Sequence, residues 1–110
     1  MENVAYEDVT FWSGDGTRLS GWFLPAIGPA QGTVVHFHGN GANMSAYLPF
    51  VDWLPAEGFN VFLFDYRGYG RSQGEPTVDG VLQDARAARA KLVELSGVPA
   101  GKLILMGESL

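Results

Sequence analysis

Near its carboxyl end the sequence reads "KLILMGESL", Lys102 to Leu110: an apolar run, then a glycine and, two positions on, a serine. Four positions of the pattern G-x-S-x-G are present, with Ser109 in the nucleophile place and the second glycine falling at residue 111. Such a turn lifts a serine hydroxyl above the end of a strand, where it can attack an acyl carbon once a base takes its proton. The chemistry would be acyl transfer. Glycine and serine also meet in ordinary strand-to-helix turns, so the pattern gains weight only from a strand before it and a helix after it. The strand half is legible in "KLILM".

A second cluster is "HFHGNGAN", His36 to Asn43. Glycines on both sides of Asn40 let the backbone there aim an amide at a neighbouring site, or they make a plain turn. His36 and His38, two apart on one strand, face the same side and invite comparison with a metal pair. A metal needs a third and usually a fourth ligand. With no other histidine and no cysteine in the chain, Asp65 would have to serve nearly alone. No metal and no cofactor is expected.

The third cluster is "DYRGYGRSQGEP", Asp65 to Pro76. Its Gly68, Gly70 and Gly74 follow an apolar strand, which allows an alternative reading as a dinucleotide-binding module with Glu108 on a ribose. Pro76 and Thr77 start the next helix after the glycines, which leaves no phosphate seat at its N-terminus. Glu108 lies 40 residues beyond Gly68, about twice the roughly 20 of the fingerprint. The competing structural reading makes Asp65, Arg67 and Arg71 a charge network bracing this loop.

The elements that must position these clusters follow from periodicity. "YEDVTFW" and "LSGWFLP" alternate about the turn "SGDG" and predict a hairpin. "TVVHFHG", "FNVFLF" and "KLILM" read as buried strands of a parallel sheet. Between the first two, Tyr47, Leu48, Val51 and Leu54 keep helical spacing, with Gly58 as a stop and a kink or early end at Pro55. Between the last two, Thr77 is the N-cap of a helix whose predicted apolar stripe is Val78, Val81, Leu82, Ala85, Ala88, Leu92 and Leu95. Arg86, Arg89 and Glu94 lie off that stripe. The order β-β-β-α-β-α-β predicts an α/β fold, an antiparallel hairpin followed by parallel strands.

Composition narrows the partners. The 110 residues carry 7 basic and 12 acidic side chains, a formal charge of −5, which argues against nucleic acid and anionic membrane surfaces. The apolar runs are strand-sized and the first ten residues hold no apolar core of a signal peptide. A cytoplasmic location is the expectation.

Taken together, "HFHGNGAN", "NVFLFDYRGYGRSQGEP" and "LILMGESL" resemble the α/β-hydrolase superfamily, and within it the serine-aminopeptidase-like branch. The resemblance implies a serine hydrolase cleaving esters, thioesters or amides of small acyl substrates through an acyl-enzyme. It makes Ser109 the nucleophile and the backbone N–H groups of Leu110 and Asn40 the oxyanion donors, with Gly41 as the alternative to Asn40. His38 would hold that loop by side-chain hydrogen bonds. The triad acid and histidine of the family follow the serine, so both histidines here stand on the wrong side of Ser109. Residues 1–110 are therefore expected to be the N-terminal portion of a single α/β-hydrolase domain, with an incomplete sheet and no activity alone. The alternative from another class is a non-catalytic short α/β protein that pairs with a partner, or with itself, through its exposed edge strand.

Overall fold

The computed structural model describes residues 5–37, 44–69, 71–98 and 102–107. Strands β1 (Glu7–Trp12) and β2 (Arg18–Leu24) pair antiparallel from Glu7↔Phe23 to Trp12↔Arg18. The turn between them closes with Ser13 N–H donating to Thr17 O (2.9 Å) and Thr17 N–H to Asp15 Oδ1 (3.0 Å). Then follow β3 (Gly32–Phe37), α1 (Met44–Val51), a 3₁₀ turn (Pro55–Glu57), β4 (Phe59–Asp65), α2 (Val78–Ser96) and β5 (Leu103–Gly107). The sheet order is β1-β2-β4-β3-β5, with β3 parallel to both β4 and β5 and β2 antiparallel to β4. The predicted order of elements holds throughout.

Strand β4 lies between β2 and β3 with a helix over each face, and its sequence meets that placement with apolar residues on both sides. Val61 and Leu63 pack with Leu24, Leu48, Val51 and Leu54 beneath α1. Phe62 and Phe64 pack with Phe11, Leu19, Phe23, Val35, Ala88 and Leu92 beneath α2. The Phe11 ring lies 5.5 Å from Phe62 and 6.1 Å from Phe64, tilted and edge-on respectively. Such aromatic pairs add about 0.5–1.5 kcal/mol each beyond area burial. α1 ends at Val51, ahead of Pro55, which opens the 3₁₀ turn where a missing N–H does least harm.

Helix α2 departs from the predicted stripe. Val78 and Leu82 are 81% and 50% exposed, and the fully inward line is Gly80, Asp84, Ala88 and Leu92. Other members of the predicted set do pack inward: Val81, Ala85 and Leu95 border the core. Val78 and Leu82 face outward because the buried line in the first turns is taken by Gly80 and the Asp84 carboxylate.

Candidate active site

The connections set where a site can form. From β3 the chain passes through α1 to β4 on one side, then through α2 and back across to β5 on the other. β3 is thus the strand at which the winding reverses, and open α/β sheets bind ligands outside the carboxyl ends of the strands at such a point. The ends are level there: Phe37 is in register with Phe64 of β4 and with Gly107 of β5. The segments that begin "HGNG" and "ESL" continue directly from Phe37 and Gly107.

Ser109, Leu110 and Asn40 themselves lie outside the described residues, as do His38, Gly41, Gly70 and Glu108. His36 is described and is fully buried, in register with Leu63 and Met106 in mid-sheet. Among the described residues no group of three or more His, Asp or Glu side chains could hold a metal ion.

Beside this strand-end region lies the 66–76 loop, and of the residues expected to brace it Arg67 joins a charge network, with Asp84 and Asp15 as partners that the sequence reading did not name. Arg67 Nε donates to Asp84 Oδ2 (3.1 Å) and Nη2 to Asp84 Oδ1 (2.8 Å), a two-pronged pair, while the Arg67 backbone N–H donates to Asp84 Oδ2 (2.9 Å). Nη1 donates to Asp15 Oδ2 (2.7 Å) and Nη2 to Ser13 Oγ (3.2 Å) in the hairpin turn. The fork geometry suits arginine and no other cation. Hydrogen bonding from Arg67, then from Thr17, holds the Asp15 carboxyl well below the usual carboxylate range. Asp84 and then Asp15 hold the guanidinium firmly charged. Burial raises the Tyr66 phenol above its ordinary value, with the Asp84 charge adding to it.

The far limb of the loop is tied to β2. Ser72 Oγ donates to Asp65 O (2.6 Å) and accepts from Ser20 N–H (3.0 Å), and Gln73 N–H donates to Arg18 O (2.9 Å). Gly68 is accounted for by the loop's own path. Gly68 stands at φ 83°, and a Cβ there would come within 2.6 Å of Pro76 Cδ. The α2 N-terminus is capped from within, Thr77 Oγ1 accepting from Gly80 N–H at 3.0 Å. Among the described residues, both points weigh against the dinucleotide reading, whose Gly70 lies outside them.

Sequence reasoning missed Asp15, Ser72, Gly80 and Asp84. For Asp84 a signal was present: it sits at four-residue spacing before Ala88 and Leu92, a carboxylate within an apolar line.

The architecture, a mixed sheet that reverses its winding at β3 with one helix on each face, defines a partial α/β-hydrolase fold. The family model described as "Serine aminopeptidase, S33" matches residues 28–110, and the chain belongs to that family. It is 48% identical over 108 residues to the uncharacterized protein YfhR of Escherichia coli K12, covering 94% of this chain and 38% of that one. It is 34% identical to the α/β-hydrolase domain-containing protein WAV2 of Arabidopsis thaliana, covering 98% of this chain and 36% of the relative. Among solved structures, the α/β hydrolase GrgF of a Penicillium species superposes with a TM-score of 0.82 at 28% identity, covering 94% of this chain and 37% of that one. An esterase of Pyrococcus furiosus gives a TM-score of 0.79 at 27% identity, with coverages of 96% and 40%. The chain thus spans less than half the length of the relatives it matches.

Proposed function

We propose that residues 1–110 are the N-terminal portion of a serine hydrolase that cleaves ester, thioester or amide bonds through an acyl-enzyme on Ser109. One observation carries the reading: β3 and β5 end level with each other at the reversal point, and the sequences that follow them are "HGNG" and "ESL". A nucleophile and a backbone donor from those two segments would flank one acyl carbon. The esterase among the structural neighbours supports the same reaction class.

In this reading Leu110 N–H and Asn40 N–H receive the oxyanion, since donors fixed before the reaction stabilise the charge that develops on it. The general base comes from sequence beyond residue 110. His36 cannot take that part, because it is fully buried in mid-sheet and a base must lie within hydrogen-bond reach of the serine hydroxyl. Residues 1–110 alone are therefore expected to give no ester turnover.

The test uses the full-length protein. A fluorophosphonate probe should label Ser109, and Ser109→Ala should abolish labelling and reduce turnover of a short acyl ester by several orders of magnitude. The residual rate need not vanish, because binding and the oxyanion donors alone leave about 10³–10⁴-fold over water. Full activity in the alanine variant would falsify the assignment.

A further inference from the structure

We propose that Arg67 is a positioning residue of this site: its guanidinium fixes the 66–76 loop against α2 and the hairpin turn, and so fixes the flank of the crevice where β4 ends beside β3. The inference rests on the acyl-transfer reading above.

The Arg67 and Asp84 side chains are 8% and 0% exposed. Two desolvated charges are often no better for stability than a well-packed apolar pair of similar volume. Stability alone therefore does not account for them. What an apolar pair would lack is direction. The two prongs on Asp84, the backbone N–H on the same carboxylate, and the bonds to Asp15 and Ser13 set the position and angle of residue 67 against two separate elements.

The surrounding sequence is shaped to admit that group. Gly80 lies in the first turn of α2, where glycine is a poor helix former. A Cβ there would stand 2.6 Å from the Arg67 Nε, Cζ and Nη1 atoms. The helix gives up a side chain so that the guanidinium can lie against its backbone. Gly68, immediately after Arg67, takes the positive φ that brings the loop back past Pro76. The far limb has its own ties to β2 through Ser72 and Gln73. The near limb, which leaves β4 next to the end of β3, is held through Arg67. Removing the fork would free the limb that leaves β4 beside the end of β3, and in an active site a displacement of about 1 Å can reduce rate by about 10²-fold.

The decisive variant in the full-length protein is Arg67→Met combined with Asp84→Asn, which leaves no unpaired buried charge and keeps a side-chain oxygen to accept from the residue-67 N–H. Thermal unfolding, fluorophosphonate labelling, and kcat and KM on a short acyl ester are measured together. The expected result is a melting temperature within a few degrees of wild type and a fall in kcat/KM of about 10²-fold. Arg67→Lys, which keeps the charge and loses the fork, should not restore the rate. Wild-type kcat/KM in the folded double variant, or full rate in Arg67→Lys, would overturn the proposal and leave the cluster a brace only. Should the double variant not fold, Asp15→Asn removes one partner at the surface. Amide exchange at Gly68 and Tyr69 should then quicken relative to the α2 amides, and unchanged exchange there would count against the clamp. A wild-type protein that the probe does not label at Ser109 would sink the acyl-transfer reading first, and this inference with it. A labelled wild type with indifferent variants sinks only this inference.

Discussion

Asp84 takes a place on α2 where the sheet face would accept leucine, and the neighbouring residue types follow from that choice. The carboxylate is fully buried, so removing its partner would leave a desolvated charge. Arg67 must then reach it across the helix backbone, and Gly80 must carry no side chain. This gives a prediction in which two effects compete. Alanine favours a helix over glycine by about 1 kcal/mol, so Gly80→Ala would stabilise a free helix. Here the added methyl meets a guanidinium that cannot swing aside without breaking its bonds to Asp84 and Asp15. Overpacking of that kind costs about 1–3 kcal/mol. The expected outcome is a net loss of stability, seen as a lower urea midpoint; a midpoint at or above wild type would show that Arg67 is freer than its bonds imply. Little of this was legible beforehand. "DYRGYGRS" announced a charged loop, but the arginine's partners are 17 and 52 residues away in sequence, and no local pattern ties them to it.

Periodicity served well for whole elements and poorly for one face of α2. The strands are short apolar runs between glycine and proline signals, so their existence and order were readable. The early end of α1 followed from Pro55. The outward turn of Val78 and Leu82 was not readable, because an amphipathic count scores Asp84 as surface and rotates the stripe to avoid it. The start of α2 was readable in Thr77, whose hydroxyl accepts from Gly80 N–H. Thr77→Ala should destabilise the protein by about 1 kcal/mol, measured as a shift in the chemical unfolding midpoint. Thr77→Ser should recover most of that loss. If alanine and serine behave alike, the cap contributes nothing and the helix start is set by Arg67 and Asp84 instead.

At the scale of the whole molecule, the described residues give the sheet two outer strands, β1 and β5, and Ile104 on β5 is 46% exposed. An unprotected apolar strand edge pairs readily with other chains. Residues 1–110 expressed alone should therefore show a mass by light scattering that rises with concentration, and Ile104→Lys should shift the population toward monomer. A concentration-independent monomer in both would refute self-association through this edge. Ser109, Leu110 and Asn40 of the expected site lie outside the described residues, but the α/β class was legible from three motifs in register. The buried charge cluster beside that site was not, since it depends on side chains meeting across the hairpin, the loop and the helix.

The position of β4 has a bearing on how the chain acquires its shape. β2 and β3 follow one another in sequence, yet they never touch within the sheet; β4 is hydrogen-bonded to both. During synthesis the hairpin and β3 emerge first and have no edge in common. They remain two separate pieces until residues 59–65 clear the ribosome and slot between them. Joining them calls for contacts distant in sequence, the kind that form slowly because loops must close first. Through that interval three strands display unpaired edges, and a nascent chain in that condition is prone to aggregate. The seven residues of β4 thus have to be present before the hairpin can join the parallel strands.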